Sequence, residues 1–168
     1  MHKIQLKYIN YDGNSSKKDI HNKEHSVAYS ILKVMLKEHF GIENPVFLKT
    51  ENGKPYIDCE GVHFSIAHTH GLVCVLVGDL PLGIDCELMR ERDECEIKRF
   101  AKRFFTENEL KLLSRENYSQ RAFYKIWTSK EATIKKIGGN MSYVKKIDTT
   151  MENVEFLEEN NYIVCINI

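Results

Sequence analysis

Apolar residues recur at two periods along this chain, and each change of period marks a change of element. Between Met1 and Tyr11, Ile4, Leu6 and Tyr8 fall on alternate positions, which predicts a strand followed by a polar turn through Asp12, Gly13 and Asn14. A loop rich in Lys and Ser leads to a helix. From Ala28 the spacing lengthens: Ala28, Ile31, Leu32, Met35 and Leu36 sit at i, i+3, i+4, i+7 and i+8, and Gly41 stands where a C-cap belongs. That predicts a helix of moderate length. Val46 to Leu48, Pro55 to Cys59 and Val62 to Ile66 read as short extended segments separated by Asn-Gly and Glu-Gly, and Leu72 to Val77 as a continuous apolar strand. The first half is thus expected to run β-α-β-β-β-β.

After the turn at Asp79, Leu80 and Pro81, the apolar Leu82, Ile84, Cys86 and Leu88 alternate with Gly83, Asp85 and Glu87, a strand with one apolar face. Ile97, Phe100, Ala101 and Phe104 form a helical stripe. Thr106 to Glu109 has the form of a capping box, opening a helix with Leu110 and Leu113. A long helix follows from about Tyr118, carries Phe123, Ile126, Trp127, Ile134 and Ile137 on one arc, and stops at Gly138-Gly139-Asn140. Val154 to Leu157 and Tyr162 to Ile168 are closing strands around an Asn160-Asn161 turn. Both halves run strand, helical region, strands, with no Pro/Ser-rich linker between them. An α+β fold of two similar halves, 1–80 and 81–168, packed as one body is expected.

The 168 residues suit about one domain. The 24 Lys and Arg balance 24 Asp and Glu, so no global field attracts a polyanion, and nucleic acid is not an expected partner. No apolar run approaches the roughly 18 residues of a membrane span, and Met1 to Ile9 alternates rather than forming an apolar leader. A cytoplasmic protein with no membrane partner is expected. The five cysteines, Cys59, Cys74, Cys86, Cys95 and Cys165, include no C-x-x-C pair and read as reduced core thiols.

Candidate chemistry lies at three places. Asp85 and Glu87 at i and i+2 of a strand point to one side with Cα atoms roughly 6.5 Å apart, so they can converge on a hard cation such as Mg²⁺ or Mn²⁺; an exposed acidic pair on an edge strand has the same spacing. Glu131 and Lys135 are one helical turn apart and could equally be a surface ion pair, whereas Lys130 falls inside the apolar arc and must snorkel or find an anion. His68 and His70 at a strand end offer acid-base, phosphate or metal chemistry, or merely a structural role, and Lys54 sits in an Asn-Gly-Lys-Pro turn.

In chain order these segments are Gly53-Lys54-Pro55, Phe64-Ser65-Ile66-Ala67-His68, Gly83-Ile84-Asp85-Cys86-Glu87, Arg103-Phe104-Phe105 and Trp127-Thr128-Ser129-Lys130-Glu131-Ala132-Thr133-Ile134-Lys135. The series resembles the motifs of the 4′-phosphopantetheinyl transferases over about residues 52 to 140. G-I-D-x-E followed by W-x-x-K-E-A-x-x-K is far more specific than either part. The duplicated layout looks like the monomeric Sfp-type branch, of which this chain would be a short member. It departs from that pattern in a basic N-terminal patch reduced to Lys17, Lys18, Lys23 and His25, and in Ala67 where a small hydroxyl residue is usual.

The resemblance implies Mg²⁺-dependent transfer of the 4′-phosphopantetheine arm of coenzyme A to a serine of an apo acyl or peptidyl carrier protein, leaving 3′,5′-ADP. Carried over by position, Asp85, Glu87 and Glu131 would bind the metal, with Glu131 and Lys135 catalytic. Lys130 and Lys135 would face the pyrophosphate, and Lys54 and His68 the adenosine 3′-phosphate. A catalytically silent CoA- or carrier-binding relative and a divalent-metal phosphodiesterase are the competing readings. The first would not need all three acids, and the second would hydrolyse CoA without a carrier.

Overall fold

The computed structural model describes residues 1–11 and 14–168, so the turn expected at Asp12 and Gly13 lies outside the described residues. In chain order the elements are β1 (His2–Tyr8), α1 (Lys17–Phe40), β2 (Phe47–Lys49), β3 (Pro55–Ile57), β4 (His63–Thr69), β5 (Leu72–Gly78), β6 (Gly83–Leu88), α2 (Glu94–Phe104), α3 (Glu107–Arg115), α4 (Gln120–Ile137), β7 (Val154–Glu159) and β8 (Tyr162–Asn167). Two 3-10 turns, Met141–Tyr143 and Thr149–Met151, follow α4. The fold is α+β with antiparallel sheets ordered β1-β5-β4 and β6-β8-β7, and a separate β2-β3 ribbon. Each large sheet sets its first strand beside its last and ends in a hairpin, but one helix accompanies the first sheet and three the second.

β5 is continuously apolar because it is buried on both faces. Val73, Val75 and Val77 meet Ala28, Leu32, Met35 and Leu36 of α1. Leu72, Cys74 and Leu76 meet Leu82, Ile84 and Cys86 of β6 and Val164 and Ile166 of β8. The order of layers is therefore α1, first sheet, second sheet, then α4 with α2 and α3. β4 and β6 are edge strands of their own sheets, yet they lie side by side, joined where the Ile84 N–H donates to Ser65 Oγ at 3.1 Å. This seam explains why Gly83 through Cys86 are buried on what the alternation describes as a strand with one polar face.

Local signals account for most helix ends. Thr106 and Glu109 form the capping box, and Gly41 (φ 69°) and Gly138 (φ 66°) close α1 and α4 in the left-handed conformation. The hairpin between β7 and β8 turns on Asn160 and Asn161, both at positive φ. α1 is longer than its apolar stripe, starting at the N-cap Ser16 rather than near Ala28. Projected backwards, the stripe passes through Glu24, His21 and Lys17, where polar residues replace apolar ones. Cys74, Cys86 and Cys165 are buried free thiols as expected, but Cys59 and Cys95 are exposed.

Gly83 sets how closely β6 approaches α4. A Cβ there would stand 1.9 Å from Ala132 O and 2.6 Å from Lys136 N, both rigid helix backbone. Gly83→Ala is expected to cost at least about 2 kcal/mol, because an overpacked contact against backbone cannot relax by a rotamer change. In thermal melts that is a fall of about 4–8 °C for a chain of this size. A melt within 1 °C of wild type would show that the two elements can separate freely.

Candidate functional site

The seam between β4 and β6 opens into a cleft roofed by α4 on one side and α1 on the other. On the α4 side, Gly83, Asp85 and Glu87 share the face of β6 that the helix covers. Trp127, Glu131 and Lys135, spaced i, i+4 and i+8, share the helix stripe that looks back. One oxygen from each of Asp85, Glu87 and Glu131 lies within 4.8 Å of the others. The Trp127 indole N–H donates to Glu87 Oε1 at 3.2 Å, and Lys135 Nζ donates to Asp85 Oδ1 at 2.8 Å. Lys135 therefore bridges to the strand rather than pairing along its own helix.

Three acids this close in a largely buried seam repel one another. Burial, then the neighbouring Asp85, raises the Glu87 carboxyl to about 7, against weaker opposing pulls from Trp127, Lys135 and Arg92. Burial and Asp85 likewise raise Glu131 to about 8, with Lys135 opposing and Glu87 adding to the rise. Burial works against the charged form of Lys135 as well, but Asp85, Cys86 and Glu131 outweigh it and its pKa is raised. Asp85 Oδ2 is buried with no hydrogen-bond partner among the described residues. An unpaired oxygen on a buried carboxylate that clusters with two further carboxylates is what a hard divalent cation would satisfy, and the all-oxygen donor set suits Mg²⁺ or Mn²⁺ better than zinc.

Further along β4 the cleft divides. A cavity of about 250 Å³ is lined by Lys54, Lys135, Phe64, Ser65, Gly138 and Gly139 among others. Lys54 Nζ donates to Lys136 O at 3.1 Å, and burial lowers its pKa. Beyond it, a cleft of about 600 Å³ is lined by Lys17, His21, Glu24, His68, His70 and Arg90 with their neighbours. His68 Nδ1 lies 2.9 Å from Glu24 Oε2, and the His21 ring packs on His68 with centroids 5.0 Å apart.

Lys54 lines the smaller cavity with Lys135 and Gly138, and His68 the larger cleft with His21, Glu24 and Arg90. One expected placement is corrected. Lys130 does not reach the cleft at all. Its side chain is fully buried, and its three N–H bonds are used by Glu109 Oε2 (2.7 Å), Val144 O (2.7 Å) and Ile147 O (2.6 Å). The anion that its place in the apolar arc required is Glu109, the acid of the α3 capping box. One residue that the sequence reading passed over is Glu24, buried on α1 at the level of His68. Its signal was an acid on the helical stripe that continues Ala28, Leu32 and Met35 toward the N-terminus.

Comparison with known proteins adds family identity to this geometry. Residues 81–165, just over half the chain, match the model of the 4′-phosphopantetheinyl transferase superfamily. The chain is 41% identical over 101 residues to the 4′-phosphopantetheinyl transferase gsp of Aneurinibacillus migulanus, covering 59% of this chain and 40% of that protein. It is 28% identical over 144 residues to HetI of a Nostoc species, a 4′-phosphopantetheinyl transferase, covering 80% and 60%. To the 4′-phosphopantetheinyl transferase Sfp of Bacillus subtilis it is 35% identical over 99 residues, covering 57% and 42%. The matched region thus spans 40% to 60% of the length of these relatives. Among the described residues no helix is long and apolar enough to cross a membrane. With the acid cluster on β6 and α4 inside the matched region, the chain belongs to the 4′-phosphopantetheinyl transferase superfamily.

Proposed function

We propose that this protein transfers the 4′-phosphopantetheine arm of coenzyme A to a serine hydroxyl of an apo acyl or peptidyl carrier protein and releases 3′,5′-ADP. The observation that carries the reading is the convergence of Asp85, Glu87 and Glu131, one oxygen of each within 4.8 Å of the others, with the Lys135 ammonium bonded to Asp85 Oδ1. The protein acts as a cytoplasmic monomer whose two units, 1–80 and 81–168, form the walls of the cleft.

Asp85, Glu87 and Glu131 would hold Mg²⁺, which would supply charge neutralisation at the pyrophosphate. Glu131, the α4 acid of the cluster, accepts the serine proton as the serine oxygen bonds to the β-phosphorus. The bond from that phosphorus to the bridging oxygen breaks, and the electron pair leaves with 3′,5′-ADP. Lys135, joined by Lys54 across the smaller cavity, stabilises the charge that gathers on the departing phosphate. His68, with Lys17, His21 and Arg90, faces the adenosine 3′-phosphate.

Cation binding reports on this site directly. Glu87 and Glu131, raised to about 7 and about 8, must lose their protons to bind Mg²⁺. Apparent Mg²⁺ affinity is therefore expected to rise with pH between 6 and 8.5. Calorimetry in buffers of different ionisation enthalpy should show more than one proton released per ion at pH 7, declining toward none above pH 9. A pH-independent affinity would remove these carboxylates from the metal site. For the donor, His68→Ala is expected to raise the KM for CoA about tenfold, as loss of one charge-assisted phosphate contact does, with kcat changed much less. Steady-state kinetics with dephospho-CoA as the second donor checks it, because equal losses with both donors would detach His68 from the 3′-phosphate.

A further inference from the structure

Glu24 is a buried acid that the transfer chemistry does not use. It lies on α1, with only 4% of its surface exposed, where the helix stripe passes from apolar to polar. One oxygen accepts from the Gly71 N–H at 2.6 Å, in the left-handed turn formed by His70 (φ 44°) and Gly71 (φ 93°) between β4 and β5. The other oxygen meets His68 Nδ1 at 2.9 Å. A carboxylate only accepts hydrogen bonds, so it selects the ring form with the proton on Nδ1 and leaves Nε2 as the nitrogen available to the cleft.

We propose that Glu24 is a positioning residue for donor recognition: by holding His68 through Nδ1, it presents Nε2 to a phosphate monoester in the cleft and stabilises the doubly protonated ring that binds it. The inference rests on the reading that His68 faces the 3′-phosphate of CoA. A neutral ring with its proton on Nδ1 offers only a lone pair at Nε2, which an anion repels. Binding a phosphate therefore requires a second proton, taken from solvent, so that the imidazolium donates to the carboxylate on one side and to the phosphate on the other.

The surroundings make that second proton costly without Glu24. Burial lowers the pKa of His68, Glu24 raises it, and His21 and Lys135 lower it again. Lys17 and His21 from α1, His70 from the hairpin, Arg90 after β6 and Tyr11 after β1 line the same cleft. The cations among them attract the phosphate but oppose protonation of the ring, and Glu24 is the buried anion that meets His68. Affinity for a 3′-phosphorylated donor is expected to fall as pH rises through the His68 titration, and without the Glu24 charge that fall should begin at lower pH.

Glu24→Gln is the informative variant, since its amide oxygen can still accept from Gly71 while the charge beside His68 is lost. Calorimetric titration with CoA and dephospho-CoA, alone and combined with His68→Ala, separates the possibilities. The expected result is a roughly tenfold weaker Kd for CoA in Glu24→Gln and a much smaller change for dephospho-CoA. The double variant should be no worse than His68→Ala, and the ¹⁵N ring resonances of His68 should titrate at lower pH in Glu24→Gln. Equal weakening with both donors, additive losses in the double variant, or an unmoved His68 titration would each reduce Glu24 to a support for the hairpin turn. If His68→Ala itself does not distinguish CoA from dephospho-CoA, the 3′-phosphate reading falls and this inference falls with it.

Discussion

Lys130→Ala is expected to destabilise the protein by about 3–5 kcal/mol, the largest stability effect of any single substitution near the W-x-x-K-E-A-x-x-K segment. The substitution leaves Glu109 buried without its counter-charge and strips donors from Val144 O and Ile147 O, which tie the chain after α4 back onto the helix. Glu109 keeps its bonds from the Thr106 N–H and from the N–H and hydroxyl of Thr149, so the acid stays in place with an uncompensated charge. Thermal denaturation should show a fall of about 10 °C or more. A double-mutant cycle with Glu109→Gln should give a coupling of about 2 kcal/mol or more, because the second substitution removes the stranded charge. Additive losses would mean that packing, and not the ion pair, holds this corner together.

Glu131→Gln is expected to lower turnover by about 10³-fold or more, since in the proposed mechanism it removes a cation ligand and the proton acceptor together. Its effect on the metal-free fold has the opposite sign. Glu131 is raised from 4.5 to about 8 in the folded protein, so the folded state binds a proton that the unfolded chain has released across that interval. The contribution is complete below about pH 4.5 and is lost as pH rises through about 8. Metal-free wild type should therefore lose stability between pH 5 and 8.5, and Glu131→Gln should flatten that slope and be more stable at pH 8.5 by about 1 kcal/mol. Mg²⁺ at pH 8.5 should raise the melting temperature of wild type and leave the variant nearly unchanged. A variant that is both less stable and equally responsive to Mg²⁺ would place Glu131 in the packing and outside the site.

These two residues are neighbours in sequence and opposite in role, which shows how far the sequence was legible. The helix period separated Lys130 from Glu131 and Lys135 correctly, but only the folded chain shows where each face points. Lys130 finds Glu109, an acid already accounted for by a capping box, and Lys135 finds Asp85 rather than the Glu131 one turn away. Period-two alternation and Gly, Asn and capping signals gave the strands and helix ends because they are local. The first three turns of α1 were not legible, because Lys17, His21 and Glu24 occupy the stripe that apolar residues would otherwise mark. The burial of Asp85 was also hidden, since it depends on β4 and β6 lying edge to edge and on the missing side chain at Gly83.

Phosphopantetheine transfer is read out by intact-mass analysis of apo acyl and peptidyl carrier proteins after incubation with this protein, CoA and Mg²⁺. The expected result is a mass gain of one phosphopantetheine on the carrier serine with an equal amount of 3′,5′-ADP, abolished by EDTA and by Glu131→Gln. Unmodified carriers in the presence of folded protein that binds CoA, or modification that persists in EDTA, would contradict it.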